Sequence, residues 1–88
     1  LRELPVDNVK IDGMFIRDMA NNPNDFAMVR SINDLAHFLG QKTIAESVES
    51  VELIEPLHEI GVDYLQGWGV GMPRPLEEVT LELSPLAT

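Results

Sequence analysis

Cysteine is absent from this 88-residue chain, which excludes disulfides, a thiolate nucleophile and Cys-ligated zinc, and suits a reducing cytosol. Basic residues are scarce. Lys and Arg number 6 against 15 Asp and Glu, a net charge of −9, so duplex nucleic acid is repelled and is not an expected partner. A phosphate ester could approach these acids only if divalent cations bridged the two and inverted the local charge. No apolar run approaches the roughly 18 residues of a membrane-spanning helix. Nor is there an initiator Met, a basic leader or a cleavage site, since the chain opens Leu1-Arg2-Glu3-Leu4. The chain therefore reads as a piece of a longer cytoplasmic protein, with any membrane anchor of the parent in segments outside these residues. Apolar residues still make up 44% of it, at a mean hydropathy of −0.01, as in a globular segment.

What is present is organised around Thr43-Ile44-Ala45-Glu46-Ser47-Val48-Glu49-Ser50. Ile44 to Glu46 reads as a buried strand with Glu46 at its carboxyl end and Glu49 about one helical turn later, so that two acids face one site. Upstream, Val6 to Ile11 is a second strand. Val9 and Ile11 are expected to pack against helices while Lys10 and Asp12 point the other way. Downstream, Val62 to Gln66 is a third strand ending in an amide. Helix-length segments separate them. The first, Asp25 to Leu39, has Asn24 as its expected N-cap, Met28, Ile32, Leu35 and Leu39 as its apolar stripe with Val29 and Ala36 alongside, and Gly40 as its stop. The second runs from Val51 to Ile60, capped by Ser50 and stopped by Gly61, with Pro56 expected to kink or split it. The fold class that follows is α/β: a fragment of a TIM-like β/α barrel, about three parallel strands with two main crossover helices. A closed barrel needs roughly 200 to 250 residues, so this chain cannot be a whole one.

Polar groups at the strand ends of such a barrel are functional more often than structural. Each also has a bland reading: Lys10 as half of an ion pair with Asp12 or a neighbouring strand, and the acids as solvated surface. His37, late in its helix, reads as a surface or packing residue. The stretch Gly67 to Pro73 reads as a flexible glycine-rich loop without the spacing or Lys of a phosphate-binding P-loop. Leu76 to Val79 begins a last helix, and residues 81–88 read as a tail or linker.

Leu4-Pro5-Val6-Asp7-Asn8-Val9-Lys10-Ile11-Asp12, Ile44-Ala45-Glu46-Ser47-Val48-Glu49 and Gly61-Val62-Asp63-Tyr64-Leu65-Gln66-Gly67-Trp68 together resemble the carboxyl-terminal third of the EAL domain family. These are bacterial cyclic di-GMP phosphodiesterases built on a modified β/α barrel and dependent on Mg²⁺ or Mn²⁺. The resemblance implies that residues 1–80 are the end of such a barrel. It places the nucleophilic-water role on Lys10, metal support on Asp12, general-base or metal-linked duty on Glu46, a supporting metal-site acid at Glu49, and a water-network or substrate contact at Gln66. It further implies cyclic di-GMP as partner and regulatory domains elsewhere in the parent. Two positions depart from the family pattern. Ser47 stands where Gly is usual, straining the turn if φ is positive there, and Trp68 stands where Tyr or Phe is common. The family's Glu-Ala-Leu strand, its metal-binding Asn and Glu strands and its paired-Asp motif are not in this chain, so the five candidates form part of a site. The rival reading is a cyclic di-GMP-binding or degenerate regulatory module without turnover. Open sheet edges lead to a last expectation: the remainder of a barrel, or further copies in a homo-oligomer, cover them.

Overall fold

The strands follow one another in the sheet in the order they take in the chain. The computed structural model describes residues 8–67 and 70–83. Strands β1 (Asn8–Ile11), β2 (Lys42–Val48) and β3 (Tyr64–Gly67) run parallel, with Lys10 beside Ile44 and Ile44 beside Tyr64. The Val6–Asp7 start expected for the first strand, the Trp68 position and residues 84–88 of the expected tail lie outside the described residues. The three expected parallel strands are present, and the sheet has one strand more. Val70–Pro75 is a fourth strand, β4, antiparallel to β3, and takes up the last four residues of the loop expected from Gly67 to Pro73. It carries Pro73 and Pro75 because it lies at the sheet's edge, where a residue without an N–H costs no ladder bond.

Helices follow β1, β2 and β4. After β1 comes one turn of helix, α1 (Gly13–Ile16), then α2 (Pro23–Phe38); after β2 a 3₁₀ turn (Val51–Leu53) leads into α3 (Ile54–Ile60); after β4 comes α4 (Leu76–Leu83). The cap of α2 is Asn22, not Asn24: its Oδ1 accepts from the backbone N of Asn24 and Asp25, and Pro23 takes the first helical position, where no N–H is needed. Ser50 caps its turn as expected, with Oγ accepting from Glu52 N. Pro56 splits the expected helix. The 3₁₀ turn precedes it, and Pro56 then stands in the first turn of α3, where its missing donor is tolerated.

The apolar stripe expected for α2 is not the side it buries. Val29, Asn33 and Ala36 face inward, while Met28, Leu35 and Leu39 are exposed and Ile32 is only partly covered. Hydrogen bonding decides the rotation: Asn33 Nδ2 donates to Ile60 O (3.1 Å) and Asn33 Oδ1 accepts from Thr43 Oγ1 (2.6 Å). A buried amide bonded at both ends outweighs the transfer energy of a few half-covered methyls. The core joins Val29, Leu57, Ile60 and Leu76 to Ile11, Ala45 and Leu65 on one face of the sheet. Val9, expected in this layer, is only half-buried.

At the amino-terminal end of the strands Asp63 ties the layers together. Its Oδ2 accepts from Thr43 N (2.9 Å) and from His37 Nε2 (2.7 Å), and its carbonyl accepts from Leu76 N (2.9 Å). Burial, the largest single influence, pushes the Asp63 carboxyl up. The hydrogen bonds from Thr43 and His37 and the charges of His37 and Lys42 outweigh it together and hold the group below the usual carboxylate value of 3.8. A depressed folded-state pKa means stability that is fully present above the unfolded value and is lost as pH falls through the folded one. Asp63→Asn is therefore expected to cost about 1–3 kcal/mol at pH 7 and to remove part of the acid loss below about pH 4. Thermal unfolding of both proteins from pH 7 to pH 2 reads this, and parallel acid limbs would refute the assignment.

Candidate active site

Along β2 the side chains alternate, Thr43 and Ala45 toward the helices and Ile44 and Glu46 toward the opposite face, which Lys10 and Tyr64 share through their pairing with Ile44. The alternation breaks at Ser47, which has φ 60°, a left-handed conformation uncommon for a residue with a side chain. The register against β3 shifts between Ala45 and Val48, and Val48 drops back into the core. Glu49 follows in the loop after β2, so a bulge rather than a helical turn delivers the second carboxylate.

Glu46, Glu49 and Gln66, with Ser47 and Gly67, line one open cavity of about 410 Å³ at the carboxyl ends of β2 and β3. Glu46 and Gln66 are half-buried and Glu49 is exposed. Lys10 and Asp12 stand outside that lining. Lys10 shares the Glu46 face but is exposed and forms no ion pair among the described residues, so the ion-pair reading finds no support there. Asp12 caps α1, its Oδ1 accepting from Met14 N at 2.8 Å, and its side chain is exposed beyond the end of β1.

All these donors are oxygens apart from the amine of Lys10, which fits a hard divalent cation rather than zinc or copper. Among the described residues no three acidic or imidazole groups come close enough to hold a metal by themselves. Sequence reasoning missed two contributors. One lies at the opposite end of the strands, the hydrogen-bonded chain from Asn33 through Thr43 to Asp63, whose signal was a polar residue at an inward helical position. The other is Gly13, against which Ser47 packs, with no local signal.

Comparison with known proteins gives one answer. The chain is 51% identical over 76 residues to cyclic di-GMP phosphodiesterase PdeB of Shewanella oneidensis, a match covering 86% of this chain and 9% of that protein. It superposes with a TM-score of 0.69 on the crystal structure of an EAL domain protein from Listeria monocytogenes, at 39% identity, over 93% of this chain and 33% of that one. The solved c-di-GMP complex of the MucR phosphodiesterase, from Pseudomonas aeruginosa, gives 0.68 at 38% identity over 86% of this chain and 31% of that one. The chain thus spans about a tenth of the curated relative and about a third of each solved domain. Its strand order, its carboxylates at the strand ends and the match of residues 1–73 to the EAL domain model agree, and the chain belongs to the EAL domain family.

Proposed function

We propose that this chain is the carboxyl-terminal part, residues 1–80, of an EAL barrel that hydrolyses cyclic di-GMP to the linear dinucleotide. The observation that carries the reading is the convergence of Glu46, Glu49 and Gln66 on one cavity in a chain of this family. Glu46 takes the proton of the attacking water, Lys10 orients that water from the same face, and Gln66 offers an amide to the water network or substrate. Glu46 and Glu49 from the cavity, and Asp12 from the turn beside it, would hold a divalent cation only together with ligands from the rest of the barrel. A Mg²⁺ or Mn²⁺ bound there would supply polarisation of the phosphoryl oxygens and a lower pKa for the water. The rest of the barrel completes the ligand set and covers the exposed Met28, Leu35 and Leu39 side of α2 and the open edge of β1. In this reading regulatory domains accompany the barrel and the site works in the cytoplasm. Among the described residues no helix is long and apolar enough to cross a membrane.

The test compares the full-length protein with the 88-residue chain, each incubated with cyclic di-GMP and millimolar Mn²⁺ and analysed by nucleotide chromatography. Linear dinucleotide is expected from the full-length protein only, because cation affinity falls with the number of ligands. Product from the short chain above a Glu46→Ala control would overturn the shared-site reading. A full-length protein that binds the nucleotide without cleaving it would replace hydrolysis by sensing.

A further inference from the structure

The turn after β1 and the bulge at the end of β2 touch at one point. A Cβ built on Gly13 would lie 2.6 Å from Ser47 Oγ and 2.7 Å from Ser47 Cβ, with Glu46 O 3.6 Å away. Rotating the serine moves Oγ, but its Cβ is held by a backbone already at φ 60°. Any side chain on Gly13 must therefore displace one backbone or the other. Gly13 is also the first residue of α1, directly after Asp12, and Ser47 directly follows Glu46 and precedes Glu49 by two. The contact thus joins the turn carrying Asp12 to the bulge carrying the two glutamates.

We propose that Gly13 is a positioning residue, and that Gly13 and Ser47 form an interlocked pair setting the placement of Glu46 and Glu49 relative to Asp12. Its catalytic consequence rests on the hydrolytic reading above. Backbone strain at a non-glycine residue beside candidate catalytic groups persists only where the surroundings accommodate it, and here the bare Cα of Gly13 leaves the room that the Ser47 side chain occupies. A side chain at position 13 pushes the bulge outward. A shift of about an ångström at a catalytic carboxylate costs on the order of 100-fold in rate. Removing the serine side chain frees the space, so the two positions are expected to tolerate one side chain between them.

The experiment uses the full-length protein with Gly13→Ala, Ser47→Gly and the double substitution. For each, kcat and KM on cyclic di-GMP, the Mn²⁺ concentration for half-activation and the thermal midpoint are measured. Gly13→Ala alone is expected to lower kcat by about 10- to 100-fold and to raise the Mn²⁺ requirement, with a smaller change in KM. Adding Ser47→Gly is expected to restore both, and the midpoint of the double variant should exceed the sum of the single effects. A double variant as slow as Gly13→Ala, or strictly additive midpoints, overturns the proposal. If Gly13→Ala alone does not fold, the double variant must still fold and turn over, and its failure to do so has the same force. If the unmodified protein cleaves nothing, the hydrolytic reading fails by itself. The pair is then judged by cyclic di-GMP affinity and the midpoints, where additivity overturns it and coupling upholds it.

Discussion

Glu46→Gln in the full-length protein is expected to lower kcat on cyclic di-GMP by about 10²- to 10⁴-fold, the range for losing a positioned general base. Gln keeps the size and planarity of Glu, and no ion pair among the described residues neutralises Glu46, so the fold loses little when the charge goes. In the proposed hydrolysis, what goes is the group that accepts a proton from water, at a position that lines the same cavity as Glu49. Affinity for the nucleotide should change far less than turnover, since the amide still fits the half-buried position. Measuring kcat and nucleotide affinity side by side separates the two effects. An enzyme that keeps half its rate would make Glu46 a structural residue and move the base elsewhere.

Gly67→Ala is expected to be the most damaging single methyl group in the described chain. Gly67 has φ 130°, a region open to glycine and strained for any residue with a Cβ. A Cβ there would meet Val48 O at 2.5 Å, Val48 N at 2.7 Å and Val48 C at 3.0 Å, all backbone atoms that no rotamer change can move. Gly67 and Val48 pair across β2 and β3, so relief requires breaking the strands apart at the cavity. The cost should reach about 3 kcal/mol or more, a large share of the roughly 5–15 kcal/mol that holds a typical domain folded. Gly40→Ala is the control. Gly40 has φ 78° but nothing within 4 Å of a built Cβ, so only conformational strain is added, about 1–2 kcal/mol. Thermal unfolding of the two variants in parallel decides the point, and equal losses would show that the Val48 contact carries no weight.

Much of this molecule is determined within short stretches of chain. Val9 to Ile11, Ile44 to Glu46 and Tyr64 to Gln66 are brief apolar segments separated by helix-length ones, and that spacing alone demands parallel strands with crossovers. Ser50 announces its helix because a hydroxyl finds Glu52 N two residues away, and Gly40 and Gly61 end theirs for equally local reasons. The placement of Glu46 and Gln66 at strand ends is local in the same sense, since alternation along a strand assigns their face.

Tertiary structure decided whatever depends on a partner far along the chain. The buried side of α2 is set by Asn33 reaching Ile60 and Thr43, contacts 27 and 10 residues away, which no count of apolar spacing contains. Val70–Pro75 is a strand because β3 offers it an edge; its own glycine and two prolines argue for a loop. Asp63 is anchored by Thr43, 20 residues earlier, and by His37, 26 earlier. Glu49 joins Glu46 through a bulge at Ser47, whose side chain fits against the bare Cα of Gly13, 34 residues earlier. Local propensity chooses among backbone states separated by about 1 kcal/mol, whereas burying a bonded amide or excluding one methyl group from a packed backbone is worth more than that, and where the two disagree the long-range term wins.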